Sequence, residues 1–219
     1  MPKGLDLLVR GYKKFRKKYF KRKKDTFNDL VRHGQKPKIL IIACSDSRVD
    51  PAILTNCQPG DLFVIRNVAN LVPPFEEDNS YHGTSAALEF GVCNLEVKHI
   101  IVFGHTECGG IASLLAKAKD ENNLKGFISK WIEIAQPAYK AVVEHHENSS
   151  IEEQSILCGQ YSLMNSLRNL QTFPWIRDKV QDGTLVLHAW HFNLSTGMIK
   201  YFDSHKNDFF ELKSAHIFE

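Results

Sequence analysis

The chain has 219 residues, 43% hydrophobic and 11% aromatic, enough for one domain with a buried core. No run approaches ~18 consecutive apolar residues, and Met1 to Arg10 lacks an apolar signal core, which argues against a membrane span and a secretory leader. The net charge of +3 is unevenly spread: residues 1–24 hold eleven Lys and Arg against the single acid Asp6, a surplus of ten, so the remainder sums to −7.

In chain order, Leu5 to Arg32 has no proline and, after Gly11, no interior break. Tyr12, Phe15, Tyr19, Phe27 and Leu30 recur at helical spacings, which predicts an amphipathic helix, in one piece or in two joined near Lys24. Gln35-Lys36-Pro37 ends it. We assign residues 1–34 to a basic helical arm and 35–219 to the main domain. Lys38–Ala43 is a short continuous apolar run, the pattern of a strand buried on both faces. Leu62–Arg66, entered through Pro59-Gly60-Asp61, and His99–Phe103 are two more. Thr84–Leu95, Ile111–Ala118, Phe127–His145 and Ile151–Leu170 have helical spacing. Thr184–Ala189 and Met198–Asp203 read as a hairpin across Ser195-Thr196-Gly197. Strands alternating with helices predict an α/β fold. It has a mostly parallel central sheet, an antiparallel edge strand and helices on both faces, preceded by the N-terminal helical arm.

The five cysteines, an odd number, follow no scaffold spacing. Cys57, Cys93 and Cys158 read as reduced thiols in a core, which predicts a cytoplasmic protein, with an organelle or microcompartment left open. The other two lie in loops at strand ends: Cys44-Ser45-Asp46-Ser47-Arg48 after the first strand, and Gly104-His105-Thr106-Glu107-Cys108-Gly109-Gly110 after the third. Ligands in open α/β sheets bind beyond the carboxyl ends of strands, where strand order reverses. Zinc takes thiolate and imidazole ligands in a tetrahedron, and a catalytic site keeps one position open. Cys44, His105 and Cys108 supply three ligands, and Asp46 is placed either to take the fourth position or to hydrogen-bond its occupant. Two alternatives stand beside this: ordinary side chains with no metal, and a closed structural site. The latter needs a fourth strong ligand, and the remaining cysteines fall in other predicted elements.

The segments ACSDSRVDP (43–51) and GHTECGG (104–110) resemble the paired signature of β-carbonic anhydrases. QPGDLFVIR (58–66) and RNVANLVPP (66–74) match that family in order and spacing, and the similarity runs from roughly Phe27 to Asp203, including LVLHAW (185–190). The resemblance implies one zinc per chain on Cys44, His105 and Cys108, with Asp46 and Arg48 as the family's Asp–Arg dyad. It implies reversible hydration of carbon dioxide to bicarbonate and a proton by zinc-bound hydroxide. Asp46 would accept the hydroxide's proton in a hydrogen bond, and Arg48 would keep Asp46 ionised. Gln58, Phe63 and Tyr81 match positions lining the substrate pocket of the plant-like type, some of them contributed across a dimer interface. Ile41 stands where the second, bicarbonate-inhibited type carries Trp, so the plant-like, open site is expected. Ala189-Trp190 departs from the family's usual Gly-Trp.

The family also implies a homodimer or a dimer-based oligomer in which the arm embraces the partner subunit. Binding of nucleic acid or an anionic surface by the arm ranks second, because charge alone has no need of an aromatic stripe. Two rival functions remain at this point: hydrolysis of another small heteroallene such as carbon disulfide, and a non-enzymatic zinc module with a recruiting arm.

Overall fold

The apolar run after Pro37 becomes an interior strand of a six-stranded sheet in the computed structural model, which describes residues 3–22, 24–78, 80–118 and 125–213. In β1 (Ile39–Cys44), Leu40 and Ile42 enter the core on one face while Ile41 and Ala43 enter the core on the other. Burial on both sides is why this strand shows no alternation of polar and apolar residues. β2 (Leu62–Asn67), β3 (His99–His105) and β4 (Val186–Phe192) run parallel to it, as expected, and stand in the order β2-β1-β3-β4. The antiparallel edge is wider than the one strand foreseen: β5 (Ile199–Asp203) pairs with β4, and β6 (Asp208–Glu211) then pairs with β5. Four residues, with Phe209 and Phe210 between two acids, are too short a run to announce a strand.

Helices cover both faces. α5 (Gly109–Ala118) follows β3 after the three residues Thr106, Glu107 and Cys108, and α8 (Ile151–Leu170) starts with Ser150 accepting a hydrogen bond from the Glu153 backbone N–H, a capping arrangement visible in the sequence. The predicted helix Phe127–His145 is broken into α6 (Phe127–Ile132), a 3₁₀ turn over Glu133–Ala135 and α7 (Gln136–His146). The break falls just before Pro137, which lies in the first turn of α7 and has no N–H to bond the Glu133 carbonyl. α4 (Gly83–Glu89) likewise widens into a π turn over Phe90–Asn94. That turn buries Gly91 and Val92 and leaves Cys93 exposed, so the expectation of a core thiol fails there; Cys57 is half-buried, and only Cys158 lies in the core. The short α3 (Pro51–Leu54) and α9 (Pro174–Gln181) were not anticipated.

The arm is two helices, α1 (Lys3–Lys17) and α2 (Lys24–His33), joined by a π turn at Lys18–Arg22; Lys23 lies outside the described residues. Phe27 of α2 folds back onto Phe15, Tyr19 and Phe20, with the Phe20 and Phe27 rings stacked at 4.8 Å. The arm docks at the start of β2: the Tyr19 hydroxyl donates to Gln58 Oε1 at 3.2 Å. Leu30 sits so close to Gly60 that a Cβ there would lie 2.7 Å from its Cδ2, and the φ of +100° at Gly60 also excludes other residues. Leu5, Leu7, Leu8 and Tyr12 remain exposed.

Candidate metal centre

Strand order reverses between β1 and β3, since β2 continues to one side of β1 while β3 and β4 continue to the other. Cys44 closes β1 and His105 closes β3, so both project from the crevice at that switch point. Cys108 stands just before α5, whose Ala112 N–H donates to the Cys108 carbonyl. The close packing behind it depends on Gly110, where a Cβ would lie 2.8 Å from the Ala69 Cβ. The ligand atoms of Cys44, His105 and Cys108 all fall within 4.8 Å of one another, and all three residues are buried. The two sulfurs are 3.9 Å apart. Zn–S bonds of about 2.3 Å in a tetrahedron would put them about 3.8 Å apart.

The imidazole is set for a metal. His105 Nδ1 lies 2.7 Å from the Thr106 carbonyl, and because a carbonyl only accepts, Nδ1 carries the proton. That leaves Nε2 as the nitrogen turned toward the sulfurs, and it is buried with no hydrogen-bond partner among the described residues. An imidazole held in one orientation by the Thr106 carbonyl, with two sulfurs beside it, is a donor set that fits zinc. The thiols are primed unequally. Hydrogen bonding from Cys108 first, opposed by burial and aided by His105 and the Asp46 N–H, pulls the Cys44 thiol well below its ordinary range. The same shared proton, with burial, pushes Cys108 up. One proton leaves this pair easily and the second does not, until a cation lies between the sulfurs.

Around the ligands, a charged clamp joins the two loops. Asp46 Oδ1 accepts from the Arg48 backbone N–H at 2.9 Å and from Arg48 Nε at 3.0 Å, while Oδ2 accepts from Nη2 at 2.8 Å. These bonds from Arg48 hold the Asp46 carboxyl well below the usual carboxylate range, and they raise the guanidinium in turn. Arg48 also reaches the other loop, donating to the Glu107 carboxylate and to its main-chain oxygen, each at 3.2 Å. Underneath, Arg66 at the end of β2 donates to the Cys44 carbonyl at 3.0 Å, the Asp46 carbonyl at 2.7 Å and Asp50 Oδ2 at 3.0 Å. Asp50 in turn caps α3.

Cys44, Asp46, Arg48, His105 and Cys108 are thus brought together. The remaining pocket residues are not. Gln58 is occupied by Tyr19 at the far end of β2. Phe63 pairs with Leu40, four residues before the Asn67 that pairs with Cys44, hence roughly 13 Å down the strand. Its ring lies 5.9 Å from that of Phe90. Tyr81 is fully exposed and walls no pocket of the single chain. Sequence reasoning missed Arg66 and Glu107. The first shows in the sequence only as a lone cation ending an apolar strand, with no hint of its main-chain acceptors, and the second gave no signal. A groove of about 860 Å³, lined in part by Val68, Pro73, Pro74, Ile128 and Trp131, begins beside Asn67 and Val68. In a second set of ligand-type side chains, Glu76 and Asp78 are exposed and His82 is half-buried, and the His82–Asp78 contact of 2.6 Å accounts for it.

Comparison with known proteins agrees with this geometry. The family model described as "Carbonic anhydrase" matches residues 39–199. A carbonic anhydrase of Synechocystis sp. is 36% identical over 202 residues, covering 92% of this chain and 72% of that protein. The chloroplastic beta carbonic anhydrase 5 of Arabidopsis thaliana is 42% identical over 160 residues, 73% of this chain; the match spans about half of that longer protein, 52%. Among solved structures, the β-carbonic anhydrase CcaA superposes with a TM-score of 0.88 at 35% identity, covering 96% of this chain and 93% of that one. A tetrameric β-carbonic anhydrase of Sordaria macrospora superposes with a TM-score of 0.73 at 31% identity, over 90% and 93% of the two chains. Sequence match, shared fold and the three converging ligands point the same way: this chain belongs to the β-class carbonic anhydrase family and is a carbonic anhydrase.

Proposed function

We propose that the chain catalyses the reversible hydration of carbon dioxide to bicarbonate and a proton with one zinc ion held by Cys44, His105 and Cys108. The carrying observation is His105 Nε2, buried with no hydrogen-bond partner among the described residues, beside two cysteine sulfurs at the sheet's switch point. Zinc supplies Lewis acidity there, making water a nucleophile near neutral pH. Asp46, kept ionised by Arg48, accepts a hydrogen bond from the reacting water and aims its lone pair at the substrate carbon. The converging ligand set contains three residues and no carboxylate, and Asp46 is engaged by Arg48, which supports the plant-like site with its fourth position open.

The active unit is a homodimer or a dimer-based oligomer; the Sordaria relative is tetrameric. Two features support this. The apolar residues Leu5, Leu8 and Tyr12 of the 1–34 arm lack cover in one chain. Pocket roles for Gln58, Phe63 and Tyr81 also need a second copy, because none of them reaches its own chain's ligands. Residues 35–219 then form the catalytic domain. Five free cysteines suit the cytoplasm or another reducing compartment.

Stopped-flow carbon dioxide hydration tests this reading. Stripping zinc with a chelator should abolish activity and adding zinc back should restore it, with about one zinc per chain by elemental analysis. Full activity in protein holding far less zinc would refute it.

A further inference from the structure

We propose that Glu107 is a positioning residue of this enzyme: with Asp46 it holds the Arg48 guanidinium between the two ligand-bearing loops. This rests on the role proposed above for Asp46 and Arg48. Arg48 spends Nε and Nη2 on the Asp46 carboxylate, at 3.0 and 2.8 Å, and Nη1 on Glu107 Oε2 at 3.2 Å. Nη2 also meets the Glu107 carbonyl at 3.2 Å. All three guanidinium nitrogens are therefore committed, to loops 59 residues apart in the chain. Gripped by Asp46 alone, the planar fork would swing with its own loop. Gripped also by Glu107, it fixes the plane in which Asp46 lies relative to His105 and Cys108, between which Glu107 stands in the chain.

The backbone supports this assignment. Glu107 has φ of +58°, a left-handed conformation that a side chain resists and glycine accepts freely. That twist accompanies the approach of its carbonyl to Arg48. A carboxylate at a position better suited to glycine contributes through its charge. It contributes little to stability, since the Arg48 and Glu107 side chains are 47% and 58% exposed, and such pairs are screened by solvent. The consequence lies in the alignment of Asp46 and in how firmly the two loops close around the metal.

The test uses zinc-loaded full-length protein carrying Glu107→Gln, Glu107→Gly, Arg48→Ala, or Glu107→Gln with Arg48→Ala. Two rates are read: kcat/KM for hydration, and zinc release to excess chelator. Glu107→Gln should lower kcat/KM by about 3–10-fold and speed zinc release by a similar factor, below the ~10–100-fold of groups that contact a ligand or its occupant directly. Thermal midpoint and zinc content should not change. Glu107→Gly, with its backbone relaxed, should show the same losses. Adding Glu107→Gln to Arg48→Ala should change neither rate further, because Glu107 acts through Arg48. Parental rates in Glu107→Gln, beside a damaged Arg48→Ala, would overturn this inference alone. An undiminished effect of Glu107→Gln in the Arg48→Ala background would overturn it too. Parental rates in Arg48→Ala would remove the dyad reading and this inference with it.

Discussion

The two ends of one sheet are built on different principles. At the carboxyl ends of β1 and β3, chemistry is over-determined: Cys44, His105 and Cys108 are each buried, and the Cys44 loop is tied down by Arg66 through two carbonyls and by Arg48 through Asp46. At the amino end of β2 the arm rests on a Tyr19–Gln58 hydrogen bond and the Leu30–Gly60 fit, and is folded on itself by a cluster of four aromatic rings, while much of α1 stays exposed. One end needs its groups held within a fraction of an ångström. The other needs only a complementary surface. Substitutions should accordingly be abrupt at the first end and graded at the second.

The largest effect belongs to the ligands. Cys108→Ser should lose zinc and activity together, because a hydroxyl at that place neither carries the thiolate charge nor matches zinc's preference for sulfur. Metal content and hydration rate measured on the same preparation decide it. A Cys108→Ser protein that keeps stoichiometric zinc and the parental rate would place the metal elsewhere.

The same contrast explains what could be read from the sequence. The parallel core was legible because strands buried on both faces leave unbroken apolar runs such as Lys38–Ala43, and the ligands were legible because thiol and imidazole in two strand-end loops are chemically unusual. The brace formed by Arg66 was hidden because its three acceptors include two main-chain carbonyls, which no side-chain pattern reveals. Glu107 was hidden because its partner is 59 residues away. β6 and α9 were missed for a different reason: short elements at the rim are fixed by pairing with neighbours and not by their own periodicity. In the arm, the aromatic spacing was readable, but the fold-back of Phe27 onto Phe15 and Phe20 depends on the π turn at Lys18–Arg22, whose sequence is simply basic.

An intermediate effect is expected from deleting residues 1–24. This removes the apolar stripe of α1 together with Tyr19, and so uncovers the aromatic face of Phe27. If the stripe seats on a second copy, the truncated protein should sediment as a weakened dimer, with hydration falling as the shared pocket loosens while zinc stays bound. An intact, fully active dimer that had lost only salt-sensitive binding to nucleic acid or anionic vesicles would reverse the ranking of the arm's two roles.

The smallest effect at neutral pH, and the one that isolates the amino end of the sheet from its metal, concerns His188. It lies on β4 with Nε2 3.2 Å from His99 Nδ1. Burial first, and then the proximity of His99, push it down from 6.5 to about 4. The folded protein therefore holds His188 neutral over a range in which the unfolded chain takes up a proton. The sign follows directly: above pH 6.5 the residue has no effect on the pH dependence of stability, and as pH falls from 6.5 to about 4 stability is lost progressively, levelling off below that. The gap corresponds to about 3 kcal/mol at the acid end. His188→Gln keeps a polar group facing His99 but cannot take a proton in this range. Denaturant unfolding of zinc-loaded parent and variant between pH 7 and pH 4 should show the variant's stability falling less steeply, and taking the difference cancels the metal's own pH dependence. Parallel curves would mean that His188 is protonated equally in both states, and that this end of the sheet is far more hydrated than its packing indicates.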